Sequence, residues 1–143
     1  MTALVLTEEQ QMLKDAARGF LLEHGPIRQL RELRDSRDET GFSHTLWASM
    51  VEMGFAGTLV PEAYGGTAFG HVGMGQILEQ AGRNLTASPL FATGVLGVSA
   101  LTLAGNAEQQ QALLPAIAEG RLLTALAIDE TARHAPAQVH TRA

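Results

Sequence analysis

A chain of 143 residues suits one domain, and at that size folding can bury about two-thirds of the unfolded surface, enough for a modest core. Its formal charge of −5 argues against a nucleic-acid or anionic-membrane partner, for which a basic face supplies most of the affinity. The absence of cysteine excludes disulfides, thiolate metal sites and a cysteine nucleophile.

From the N-terminus, MTALVLTEEQ has too short an apolar run and no basic segment to act as a signal peptide, so a soluble, cytoplasmic protein is expected. Thr7 with Gln10 forms a capping-box pattern, and Leu13, Ala16, Ala17, Phe20 and Leu21 then lie on one helical face until Gly25-Pro26 ends the segment. A second helix over Pro26 to Ser36 directs Ile27, Leu30 and Leu33 inward. Its arginines 28, 31, 34 and 37 could grip a phosphate, but Glu32, Asp35, Asp38 and Glu39 are interleaved with them and balance their charge, which favours a solvated, ion-paired face. Ser43 caps a third helix that carries Leu46, Trp47, Met50 and Val51 and ends at Gly54. After a glycine-rich loop, a fourth helix from about His71 to Arg83 places Met74, Ile77, Leu78 and Ala81 at helical spacing.

Asn84 to Ser88 is a polar break, and Ser88-Pro89 is the N-cap and first position of a fifth helix that runs to Gly105. That stretch is interrupted by Thr93, Gly94, Gly97, Ser99 and Thr102 and falls short of the ~18 to 20 apolar residues needed to cross a bilayer. Being apolar nearly all round, it is expected at the centre of the domain. Asn106 and Gln109 repeat the capping pattern for a sixth helix ending at Gly120, which Pro115 should kink or restart. Leu122 to Ile128, a short apolar run bounded by Gly120 and Asp129, reads as a strand, and the thirteen residues from Thr131 as a frayed end.

No reactive constellation emerges. Glycines 65, 66, 70, 73 and 75 are not followed by Gly-Lys-Ser/Thr and are enclosed by no βαβ unit, so a nucleotide loop is not expected. Histidines 24, 44, 71, 134 and 140 sit on separate elements without His-Glu-x-x-His spacing, and no metal ligand is assigned. Serines 43, 49, 88 and 99 lack a nucleophile-elbow context, while Glu23, Glu52, Glu62 and Glu79 read as solvated or capping groups; no catalytic residue is assigned.

The loop GFAGTLVPEAYGGTAFG, residues 54 to 70, makes structural sense by itself: Gly54 suits a left-handed position just past a helix, Pro61 stops any helix, and Gly65-Gly66 permits backbone angles closed to other residues. It serves as a rigid connector, as a ligand-contacting loop, or both. Together with AGNAEQQQALLPAIAEG over Ala104 to Gly120, it resembles the signature of the acyl-CoA dehydrogenase family, in the N-terminal helical domain. The resemblance runs from about Thr7 to Glu130 and corresponds to the N-terminal third of a complete member.

The resemblance implies an all-α, up-and-down bundle of about six helices, with residues 1–121 as that domain and 122–143 as the start of a middle β-domain whose first strand is the single C-terminal strand. Family enzymes remove the α-proton of an acyl thioester with a carboxylate and pass the β-hydride to FAD. The carboxylate belongs to their C-terminal helical domain, and no residue here corresponds to it. By resemblance Pro89, Ala92, Thr93 and Leu96 form a wall of the acyl-tail cavity, the alternative being ordinary core packing. Leu126, Ile128 and Asp129 are the flavin-adjacent positions, the alternative being a plain strand with a polar end. Asp129 stands where the family often has threonine, and Arg133-His134-Ala135-Pro136 replaces its Gly-Ser-Asp, which leaves subfamily and flavin retention open. The expected ligands are FAD and acyl-CoA, with homo-oligomerisation at full length and no activity in the isolated chain. A non-catalytic helical interaction module and a truncated remnant of the family are the competing readings.

Overall fold

The computed structural model describes residues 5–142. Thr7 and Gln10 cap α1 (Glu8–His24) reciprocally, with the Gln10 N–H donating to Thr7 Oγ1 at 3.2 Å and the Thr7 N–H to Gln10 Oε1 at 3.1 Å. Its apolar stripe lies on α4 (Gly70–Arg83), where Ala17 and Leu21 meet Met74, Ile77 and Ala81. Residues Leu46, Trp47 and Met50 of α3 (His44–Glu52), capped by Ser43 as expected, complete this first core with Phe55, Ala56 and Leu90.

A second, smaller core joins Val60, Val98, Leu114 and Ile117, with Leu59 packed against both clusters. It lies between α5 (Val98–Ala104), α6 (Ala107–Ala118) and a 3-10 turn at Glu62–Tyr64. The indole N–H of Trp47 donates to the Gly120 carbonyl at 3.3 Å, tying α3 to the residues just past α6.

The loop between α3 and α4 is cross-braced by its own backbone. The N–H groups of Thr67, Ala68 and Phe69 donate to the carbonyls of Gly57, Val60 and Thr58 at 3.1, 3.0 and 2.9 Å. Gly54 adopts φ +78°, the left-handed conformation expected of it. Gly66 is needed for a different reason: a β-carbon there would overlap the Val60 carbonyl, so only glycine lets the two arms of the loop close.

Helix α2 (Ile27–Ser36) buries no residue, and Ile27, expected inward, is 41% exposed. The helix lies on the surface, and of its apolar residues only Leu30 and Leu33 are half covered. Two of its arginines are ion-paired on an exposed face, Arg28 with Glu32 at 3.3 Å and Arg34 with Asp35 at 2.8 Å.

Other expectations are corrected as well. The all-α class holds, but among the described residues no strand forms at Leu122 to Ile128, since no neighbouring strand exchanges ladder hydrogen bonds with it. The helix beyond Pro89 is not buried all round. It lies at the rim, burying Leu90, Thr93, Gly94, Gly97 and Val98 and leaving Phe91 54% and Leu103 88% exposed. Of the two effects expected of Pro115, a kink or a restart, no restart occurs: α6 runs unbroken over Ala107–Ala118, and the carbonyl that Pro115 cannot serve belongs to exposed Gln111.

Candidate functional site

The residues expected to line an acyl cavity begin at Pro89, whose carbonyl accepts from the Thr93 N–H at 2.9 Å as the helix starts at Leu90. No side chain caps this start, so Ser88 does not play the capping role its position suggests. From Phe91 to Gly97 the backbone is π-helical, a wider turn than the α-helix that continues from Val98.

This turn sorts the four residues expected to form that wall. Pro89, Ala92 and Leu96 are half-buried, and Ala92 and Leu96, four apart, share a face. Thr93 is fully buried: its hydroxyl accepts from the Thr124 N–H at 3.0 Å and donates to the Thr124 carbonyl at 3.2 Å. The extended segment after α6 is thereby fastened to the π-helical turn. Gly97 lies on the same contact, where a β-carbon would overlap the Thr124 hydroxyl. Thr124 Oγ1 is itself buried without a hydrogen-bond partner. Neither Thr124 nor Gly97 stands out as a site residue in the sequence; the only available signal is the pair of glycines, 94 and 97, inside an apolar helix.

Past Thr124, Leu126 and Ile128 are 46% and 45% exposed. They stand two positions apart in a segment without helix or strand, and Ala127 between them is exposed as well. Asp129 is engaged in its own turn, accepting from the Ala135 N–H at 3.2 Å and lying 3.1 Å from His134 Nδ1. Beside it the Glu130 carboxylate accepts from the backbone N–H groups of His140 and Thr141 at 2.6 and 3.0 Å, and bonding to Thr141 and His140 holds it below the usual carboxylate range.

Two surface concavities lie away from this face. The larger, about 480 Å³, runs between α2 and the loop into α3, past Glu32, Leu33, Asp38, Phe42 and His44. There the Thr40 hydroxyl, then the Gly41 and Thr40 N–H groups, hold the Asp38 carboxyl below its ordinary value. The smaller, about 120 Å³, lies beside Arg18, Gln80 and Arg83. Among the described residues no group of three or more His, Asp or Glu side chains could hold a metal ion, and no helix is long and apolar enough to cross a membrane.

The capped α1, the braced glycine loop and the helices that follow it are shared with known proteins: residues 7–121 match the family described as acyl-CoA dehydrogenase, N-terminal domain. The chain belongs to this family. The acyl-CoA dehydrogenase FadE12 of Mycobacterium tuberculosis is 29% identical to it over 132 residues, 90% of this chain and 32% of that protein. In the crystal structure of the ChsE4-ChsE5 complex from Mycobacterium tuberculosis, the similar chain superposes with a TM-score of 0.82 at 25% identity, over 94% of this chain and 36% of that one. An acyl-CoA dehydrogenase of Bacillus anthracis, crystallised with FAD, gives a TM-score of 0.72 at 26% identity, over 87% of this chain and 21% of its own. The chain thus spans about a third or less of the length of these acyl-CoA dehydrogenases and their neighbours.

Proposed function

We propose that this chain is the N-terminal part of an FAD-dependent acyl-CoA dehydrogenase, catalysing α,β-dehydrogenation of an acyl thioester, and that it supplies one wall of the acyl-tail site. In this reading residues 1–121 are the helical domain and 122–143 lead into the flavin-binding β-domain. The observation that carries it is the family match across 7–121, joined to a rim helix whose half-buried Pro89, Ala92 and Leu96 form a small, apolar face at the domain edge.

A hydrocarbon tail against that face leaves water at a gain of about 0.8 kcal/mol per methylene. Ala92 and Leu96 offer no polar atom that the tail would strand, so the wall selects by shape. Thr93 backs this wall from inside and does not present its hydroxyl to the tail, since both hydrogen-bonding capacities used here go to Thr124.

FAD, when bound, supplies the hydride acceptor for the β-carbon. The residues present fit it in part. Leu126 and Ile128, two positions apart, expose apolar side chains and could cover a face of the ring. Asp129 fits less well, its carboxylate being occupied by Ala135 and turned to His134. No residue of this chain is assigned the abstraction of the α-proton.

On this reading the 143-residue chain alone neither retains FAD nor oxidises acyl-CoA, and the complete enzyme is a homo-oligomer. The purified chain, mixed with FAD and passed through gel filtration, should show no flavin absorption and reduce no dye with acyl-CoA. Stoichiometric flavin on the isolated chain would refute the division of the site. The full-length gene product should carry FAD; a full-length product without it would favour a non-catalytic helical interaction module.

A further inference from the structure

The π-helical turn, Thr93, Gly97 and the segment after α6 form one device. We propose that Thr93 and Gly97 are positioning residues, a latch that fixes the register of residues 122–128 against the domain and so determines where Leu126 and Ile128 are presented. The bearing of those two side chains on flavin rests on the function proposed above; the latch itself does not.

Two physical facts make the latch specific. The Thr93 hydroxyl satisfies both backbone groups of a single residue, donating to the carbonyl of Thr124 and accepting from its N–H. Burial alternates along the segment, with Leu122 and Thr124 half-covered and Arg121, Leu123 and Ala125 exposed, so a shift by one residue would reverse the two faces and bring Ala125 and Ala127 where Leu126 and Ile128 now stand. An isolated extended segment has no ladder to hold its register, so an internal anchor of this kind does what a neighbouring strand otherwise does. Gly97 supplies the steric half: only a residue without a β-carbon leaves room for Thr124 in its present position. The Thr124 hydroxyl contributes no hydrogen bond, so the latch reads the backbone at position 124 and tolerates loss of that hydroxyl.

The test is hydrogen exchange of the amide at position 124 in the 143-residue chain. Thr93→Val keeps the shape of the side chain and removes the hydroxyl; it should speed exchange there by about tenfold or more while the amides of α1 and α4 keep their protection. Thr93→Ser, which retains the hydroxyl, should keep the wild-type rate, and so should Thr124→Ala, which removes the unpartnered hydroxyl and its methyl but leaves the backbone groups that Thr93 holds. An unchanged rate in Thr93→Val, or failure of the serine to rescue, overturns the proposal. Should Thr93→Val lower protection throughout the chain, Gly97→Ala decides through native-state trypsin cleavage after Arg121, adjacent to the segment: faster cleavage by about tenfold supports the latch, and an unchanged rate overturns it. None of these measurements involves flavin. A full-length protein that lacked FAD would sink the dehydrogenase reading and leave the latch standing, and a failed latch would leave the dehydrogenase reading intact.

Discussion

Replacing Gly66 by alanine should be much more damaging than replacing Gly54, although both belong to one glycine-rich loop. Gly54 has φ +78° and open space around its missing side chain, so alanine there meets only backbone strain, about 1 to 2 kcal/mol. The stiffer unfolded chain returns ~0.4 to 1 of this, and the net loss is about 1 kcal/mol or less. At Gly66 the added methyl overlaps the Val60 carbonyl, which is backbone and cannot swing aside. The arms of the loop must part, weakening the Ala68-to-Val60 and Thr67-to-Gly57 hydrogen bonds, each worth ~0.5 to 1.5 kcal/mol, and disturbing Val60 in the second core. Together with overpacking this amounts to about 3 kcal/mol, a large share of the ~5 to 15 that holds a domain together. Urea melts followed by Trp47 fluorescence and far-UV circular dichroism check it: with a slope of ~1 to 3 kcal/mol/M, Gly66→Ala should lower the midpoint by about 1 M or more. Equal midpoints for the two variants, or a lower one for Gly54→Ala, would refute the steric argument.

Leu114→Ala, at a fully buried site of the second core, should cost ~2 to 5 kcal/mol in denaturant melts, whereas Arg31→Ala on the exposed face of α2 should stay within about 0.5. Leu101→Asp should be milder than Leu114→Asp in the same assay, because Leu101 is only half-buried and its replacement can reach water. In the full-length enzyme, Ala92→Trp should shorten the preferred acyl chain with FAD still bound, seen as a shifted chain-length profile of kcat/KM; an unchanged profile would mean that position 92 does not touch the tail. Because Asp38 is held below its ordinary pKa when folded, the stabilisation of its turn is present above the unfolded carboxylate value and disappears as pH falls through the depressed one. Acid titration of the Thr40 and Gly41 amide resonances should report this loosening, and Asp38→Ala should abolish it.

The helices were legible because their signals are local. Thr7 with Gln10 and Asn106 with Gln109 form the two reciprocal capping boxes that their spacing announces, and the apolar positions of α1, α3 and α4 recur where one buried face requires them. What could not be read depends on neighbours. Whether Leu122 to Ile128 pairs as a strand depends on a partner strand, and whether Phe91 or Leu103 is covered depends on what lies opposite, neither of which is written in those residues. The site divides along the same line. Ala92 and Leu96 lie half-covered on the rim helix, but nothing in the sequence distinguishes Thr93 from them; its separate task follows from a backbone thirty-one positions further on. The wide turn at Phe91–Gly97 is equally silent, since its residues would suit an ordinary helix.

The packing of α1 on α4 also constrains how this protein can be made. The Lys14–Glu79 pair, 65 positions apart, marks how far along the chain the partner of the first helix lies. As the polypeptide leaves the ribosome, α1 emerges first and stays without its cover while α2, α3 and the glycine-rich loop are added. Neither Ala17 nor Leu21 can be shielded until Ile77 and Ala81 have been synthesised. Closure of Trp47 onto the Gly120 carbonyl waits longer still. The nascent chain therefore carries an exposed apolar stripe while the 57 residues from Gly25 to Ala81 are added, a window in which chaperones and proteases compete with folding, and in which synonymous changes that slow translation before α4 would lengthen the risk.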